Sequence, residues 1–344
     1  VEDLPQMKTP EMPQQAGEDA VDARKKRQLL NVQTDVLDVK IDPVGGTVVS
    51  AVLRDYPVVL DEPDVKFELL QESGNNKFIA QSGLLSSSEA PNHTSLYTSE
   101  RMEYALGEGA GELRIPLSWE SVDGLRVTKT FVFQPGSYEI GVMHEVENQS
   151  GNSWTGSGYL QLQRTVPGDE DSGGFTNPER YSFFGIGFYN PEDKLEKVDF
   201  DDAGDDPYQK TTANGWLAMI QHYFFTAWIP AAEEQSTYTT QAISGDGWPR
   251  YIARNVSPTR TVTPGQGTAF ESTLYIGPKL QDEIPDIAPG LEYTVNYGIF
   301  TVFSKPLYWL LSKIHGVVGN WGWAIVILTI LIKAAFFKLT EAQY

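Results

Sequence analysis

The sequence predicts a mostly β protein: a large antiparallel sandwich, then an amphipathic helix lying on a membrane interface, then one transmembrane helix. Three observations carry this. From Asn31 to about Gly277 the chain consists of short segments of alternating polarity punctuated by Gly, Pro and Asn. The last twenty-four residues, Trp321 to Tyr344, open with a run to Phe337 interrupted only by Thr329 and Lys333 among its large apolar side chains. Between the two, apolar residues recur at helical spacing.

Residues 1–30 are rich in Pro, Gln and acid, with almost nothing to bury, and read as a disordered linker. Their basic cluster, Arg24 to Arg27, is surrounded by acids and reads as a solvated linker end rather than a nucleic-acid patch. Residues 1–320 hold 24 of the 26 Lys and Arg but 45 of the 46 Asp and Glu. That acidity argues against nucleic acid or an anionic lipid surface as partner. With no cysteine, disulfides, thiolate metal sites and a cysteine nucleophile are excluded.

Residues 31–290 are expected to form the sandwich domain, closed by a short helix within Gln281–Ile287 before Pro289. Strand signals include 36–42, 46–53, 67–71, 113–120, 125–133, 138–148, 237–243 and 269–277. In 125–133, Leu125, Val127, Lys129, Phe131 and Phe133 share one face against Arg126, Thr128 and Thr130, the period-2 pattern of a half-buried strand. The stretch 215–230 concentrates Trp216, Met219, Tyr223, Phe224, Phe225 and Trp228, consistent with core strands.

No catalytic constellation emerges. The acidic run 199–206 fails the calcium-loop pattern, with Ala203 at its fifth position and Lys210 where a bidentate Glu belongs. His93, His144, His222 and His315 share no metal-ligand spacing, and His144 and Glu145, adjacent on a strand, point to opposite faces. Asn92, Asn148 and Asn255 begin glycosylation sequons that arise often by chance, and 185–190 lacks the setting of a phosphate loop. No cofactor or metal is expected.

Residues 299–319 are expected to form the interfacial helix. Pro306 suits a first turn, Leu307, Leu310, Leu311, Ile314 and Val318 follow helical spacing, Trp309 joins the interfacial set, and Lys305, Ser312 and His315 take the other side. Gly316, Gly319 and Gly322 let the chain turn. Residues 320–344 then cross the bilayer, with Trp321 and Trp323 at the interface; the apolar run is at the short end of the ~17–25 residues required. Lys333 is about 18 Å below Trp321 at 1.5 Å per residue. It either faces a wet, protein-lined cavity or snorkels toward Lys338, and sequence physics leaves both open.

Several long stretches, in order, resemble the YidC family of bacterial membrane-protein insertases in its Gram-negative form. They are IDPVGGTVVSAVL (41–53), YPVVLDE (56–62), AQSGL (80–84), GWLAMIQHYFFTAWIP (215–230), STLYIGPKLQDE (272–283), APGLEYTVNYG (288–298) and 303–344. The resemblance implies a periplasmic β-supersandwich similar to galactose mutarotases, a first transmembrane helix before Val1, and three or four spans after the second. It implies a multi-pass protein of the bacterial inner membrane. It places Lys333 in a hydrophilic intramembrane groove, where the family usually has Arg, and Lys338 where Pro is common. The implied function is insertion of nascent inner-membrane proteins, alone or with the Sec translocon, with a ribosome contact through cytoplasmic parts, and no enzymatic step. The alternatives are a membrane-anchored carbohydrate-binding or mutarotase-like envelope protein, or a structural scaffold.

Overall fold

A computed structural model describes residues 28–73, 76–166, 183–243, 248–295 and 301–341. Most of the expected linker, with its basic cluster, lies outside these residues. Leu30, assigned to the linker from sequence, is instead the fully buried first residue of a strand. The chain divides into two compact units, Val1–Thr294 and Val295–Tyr344.

In chain order the first unit's described strands are β1 (Leu30–Gln33), β2 (Leu37–Asp42), β3 (Thr47–Pro57), β4 (Lys66–Ser73), β5 (Asn76–Ser86), β6 (Glu103–Ala105), β7 (Leu113–Glu120), β8 (Leu125–Phe133), β9 (Glu139–Asn148) and β10 (Trp154–Thr165). They continue with β11 (Gly185–Asn190), β12 (Lys194–Val198), β13 (Gln209–Thr212), β14 (Trp216–Ile220), β15 (Phe224–Pro230), β16 (Ser236–Ile243), β17 (Arg250–Val256), β18 (Arg260–Val262) and β19 (Gly267–Pro278). Two short helices, α1 (Asp202–Asp205) and α2 (Ile284–Ile287), and a 3-10 turn (Leu291–Thr294) complete the unit.

These strands make two sheets. The larger runs β13-β16-β17-β10-β5-β4-β3-β2-β1-β6 with β18 beside β10, and the smaller runs β12-β11-β14-β15-β19-β9-β8-β7. Pairing is antiparallel throughout except at one edge, where β6 runs parallel to β1. That single departure from the expectation follows from a return through residues 34–102 rather than a tight hairpin.

Alternation decides how the sheets meet. Leu125, Val127, Lys129, Phe131 and Phe133 of β8 are all buried, as the period-2 pattern requires. From the smaller sheet Leu125, Val127, Val146 and Phe270 pack against Leu84, Trp154 and Val262 of the larger one. Each large side chain so buried contributes about 1.5–3 kcal/mol. Trp216, Met219, Phe225 and Trp228 are core residues of β14 and β15, whereas Tyr223, in the turn between them, is exposed. The helix expected at 281–287 occupies 284–287, and buried Ile284, Ala288 and Leu291 dock it, with Trp216 Nε1 donating to the Pro289 carbonyl at 3.0 Å.

The β2–β3 turn depends on glycine. Gly45 and Gly46 both take positive φ, and a Cβ at Gly45 would meet the His93 backbone at 2.5 Å. Gly45→Ala is therefore predicted to lower the unfolding free energy by about 1–3 kcal/mol, from strain plus a clash with backbone that cannot yield. Gly151→Ala, at a position with open space around it, should change it by less than ~0.5 kcal/mol in the same urea titration.

Candidate functional site

The second unit holds the residues on which the sequence reading converged. Its helices are α3 (Thr301–Val318) and α4 (Trp321–Glu341). Pro306 lies inside α3 rather than in its first turn, because the helix already runs from Thr301. Pro306 has no N–H for the Val302 carbonyl, so one rung of the ladder is missing there. Gly319, with positive φ, donates its N–H to the His315 carbonyl at 2.7 Å and ends α3. Asn320 then caps α4, its Oδ1 accepting from the Trp323 N–H at 3.2 Å.

At 3.6 residues per turn, Leu307, Leu310, Leu311, Ile314 and Val318 form one stripe of α3, and Phe303 and Val317 extend it. Trp309, which is exposed, stands roughly 140° from that stripe. Trp321 stacks on His315 with ring centroids 3.8 Å apart and ties α3 to α4. Trp323 projects from nearly the opposite side of α4.

Exposed apolar side chains surround α4: Ile325, Val326, Ile330, Leu331, Phe336 and Phe337. Two polar residues share one face a turn apart. Thr329 turns its Oγ1 back onto the Ile325 carbonyl at 2.8 Å, and exposed Lys333 follows four residues later. Among the described residues Lys333 has no ion pair. Also among them, no helix is long and apolar enough to cross a membrane. The apolar part of α4, Trp321 to Phe337, extends only about 25 Å, below the ~30 Å of a hydrocarbon core.

Inside the sandwich the structure places a charge that the sequence pattern aligned with the core but did not single out. Lys129 is fully buried on β8, and its Nζ donates to the carbonyls of Gly45 (2.8 Å), Gly46 (2.8 Å) and Ser82 (3.2 Å). The ammonium thus ties the smaller sheet to two parts of the larger one. Burial pulls its pKa down to about 7. His144, its cross-strand neighbour on β9, is held well below its ordinary value by burial and by the Lys129 charge, and is neutral.

The space beside His144 is about 20 Å³, water-sized and too small for a sugar ring. His93 places its Nδ1 2.7 Å from the hydroxyl of Tyr159, which lines the same space, while His222 lies in the β14–β15 turn and His315 on α3. Among the described residues no group of three or more His, Cys, Asp or Glu could hold a metal ion. The acidic run forms α1 around a buried Ala203, and 185–190 is the buried strand β11. Asn148 uses its side-chain amide to bond the Asn152 and Val262 carbonyls, so this sequon is structural. A cleft of about 700 Å³ is lined by Val132, Met143, Trp216, Ile229 and Ile287, with Arg114 and Glu271, an apolar concavity without catalytic geometry.

The fold and helices define a large β-supersandwich protein with an apolar helical tail. The family model described as the YidC periplasmic domain matches residues 29–310. The chain belongs to that family. Relatives named membrane protein insertase YidC include one from Thioalkalivibrio sulfidiphilus, 41% identical over 330 residues, covering 94% of this chain and 58% of the relative. Those from Methylococcus capsulatus and Pseudomonas aeruginosa are 42% and 37% identical, over 92% and 96% of this chain and 57% and 60% of theirs. The chain thus spans somewhat under two thirds of the length of these relatives. Similar solved structures include a galactose mutarotase related enzyme from Lactobacillus acidophilus and a galactose mutarotase-like protein from Lactobacillus casei. Each is 9% identical with a TM-score of 0.45, over 72% of this chain and 97% and 99% of theirs.

Lys129 generates a pH prediction. Between about pH 7 and its ordinary 10.5, the unfolded chain binds a proton that the folded chain does not. Stability from this group therefore rises with pH across that window, by up to about 1.4 kcal/mol per unit. Relative to Lys129→Met, the wild-type unfolding free energy should climb from pH 7 to pH 10. A difference that stays flat in denaturant titrations would contradict the buried charge.

Proposed function

We propose that this chain is the sandwich and following helical portion of an inner-membrane insertase, which helps nascent inner-membrane proteins enter the bilayer and fold. In this reading residues 31–290 are periplasmic, 299–319 lies on the interface, and 320–344 enters the membrane within a multi-pass protein. The single observation that carries the mechanism is Lys333 beside Thr329 on one face of the stretch Trp321 to Phe337, which is otherwise without polar side chains. Family membership and relatives named insertases support the reading. The short apolar length of α4 fits a bilayer thinned locally around it, since mismatch of a few ångströms costs only fractions of a kcal/mol per Å.

The mechanism needs no covalent chemistry. A polar, positively charged face within the bilayer lowers the cost of moving a client's hydrophilic segment, attracts its acidic residues, and releases its apolar helices into lipid. Lys keeps the charge but has no bidentate fork, so attraction rather than geometric recognition of a carboxylate is the operative force. The Sec translocon, and a ribosome engaged through cytoplasmic parts, are the partners this role implies. The sandwich acts by binding or scaffolding rather than catalysis, and the water-sized space at His144 weighs against a sugar-converting role.

Two experiments test this in the complete protein. Lys333→Arg should preserve insertion of a single-span client with an acidic translocated tail, Lys333→Leu should reduce it at least several-fold, and Lys333→Glu should be worst. If Lys333 only snorkels, Lys333→Leu should instead ease membrane entry of α4 by about 3 kcal/mol and leave clients unaffected. Leu310 and Leu311 on the α3 stripe supply the second test. Changing both to Asp should impair insertion while the sandwich keeps its urea midpoint, and full activity in that variant would remove the interfacial role of α3.

A further inference from the structure

The corner between α3 and α4 is lightly held by the backbone. Two residues make it, Gly319 at positive φ and the cap Asn320. The backbone bonds beside it each belong to one helix. Gly319 N–H bonds the His315 carbonyl on the α3 side, and Ala324 N–H bonds the Asn320 carbonyl at 3.0 Å on the α4 side. Neither crosses the corner, so the angle between the helices rests on side chains. The stack of His315 on Trp321 does cross it, with ring centroids 3.8 Å apart and planes inclined by 9°.

Trp321 also fixes a direction around α4. Three residues on, Ala324 shares its side of the helix and is fully buried, while Trp323 and Ile325 on either side are exposed. Because α3 and α4 pack together, this covered side is the one turned to α3. At 3.6 residues per turn, Lys333 stands roughly 180° from Ala324 and roughly 120° from Trp321. A helix does not twist freely about its own axis. Holding Trp321 against His315 therefore holds Lys333 away from α3.

We propose that His315 and Trp321 are a positioning pair, whose stack sets the α3–α4 angle and so presents Lys333 to an acidic client segment, and that proton uptake by His315 tightens the stack. This rests on the reading of Lys333 as the charge that attracts clients. Histidine is the side chain that changes charge between about pH 5 and 8. An imidazolium lying face to face on an indole gains a cation–π attraction that the neutral ring lacks. His315 also lies in the last turn of α3, the end of a helix that favours a cation. No titratable group of α4 competes for the ring. Residues 316–332 contain none, Lys333 is on the far side of α4, and on α3 itself Lys313 is two positions away and so on another side.

The absence of cysteine from the chain permits a distance measurement. Phe303→Cys and Ile330→Cys, both at exposed positions on separate helices, carry spin labels in the full chain, reconstituted into phosphatidylethanolamine–phosphatidylglycerol nanodiscs. Double electron–electron resonance should give a narrow distance distribution at about pH 5.5 and a wider one at about pH 8. His315→Phe, which keeps a ring but takes no proton, should be equally narrow at both. His315→Ala and Trp321→Ala should be wide at both, with helix content by circular dichroism unchanged. In the complete protein, the two Ala variants should lower insertion of an acidic-tailed client at least several-fold, and His315→Phe should restore it. Wild-type distances in the Ala variants overturn the clamp, and a wild-type distribution that ignores pH overturns its control by the proton. Widened distances with full insertion overturn the positioning role. Full insertion by Lys333→Leu overturns the client reading itself, which the distances do not touch.

Discussion

Two sheets that each carry one apolar face have no stable state except face to face, and the first unit is organised by that burial. Leu125, Val127, Phe131 and Phe133 on one strand commit the smaller sheet, and Leu84, Trp154 and Val262 commit the larger. Lys129 occupies the same layer as a charge, where an unpaired ammonium is costly. Three carbonyls contributed by the opposite sheet, two of them from a turn that only glycine can make, offset part of that cost, and the remainder lowers the pKa to about 7. A core charge satisfied entirely by backbone therefore specifies which turn sits against which strand, beyond what apolar contacts specify.

The second unit obeys the opposite rule. A soluble helix hides one stripe, whereas α4 presents large apolar residues around its whole circumference and interrupts them with Thr329 and Lys333 on one side. Such a surface has no favourable state in water. An environment that is apolar in most directions and polar in one would satisfy it, and that is the basis of the proposed charged groove in lipid. Gly319 and Asn320 make the corner between α3 and α4, so the two helices change direction over two residues.

The sandwich was legible because period-2 alternation survives in strands such as β7, β8 and β9, and the expected 113–120 and 125–133 are β7 and β8 without a residue's difference. The place of Pro306 was less so, since proline's preference for a first turn does not reveal that α3 runs from Thr301 and carries it inside. Spacing at 3.6 residues per turn puts Leu307, Leu310, Leu311 and Ile314 on one stripe of α3 and Trp309 on another side. Lys129 was visible on an apolar face, yet nothing local distinguishes a buried lysine from an edge-strand lysine whose tip reaches water.

By itself the sequence determined the fold class, the division into an acidic β unit and an apolar helical tail, the core face of alternating strands such as β8, and the family. These are written in local periodicity and in long ordered matches. Only the tertiary structure decided which sheet each strand joins, the parallel β1–β6 edge, the closure of the space beside His144, and the three carbonyls that hold Lys129. Each depends on residues brought together from distances of tens to more than a hundred positions along the chain, and periodicity over a few residues has no information about such partners.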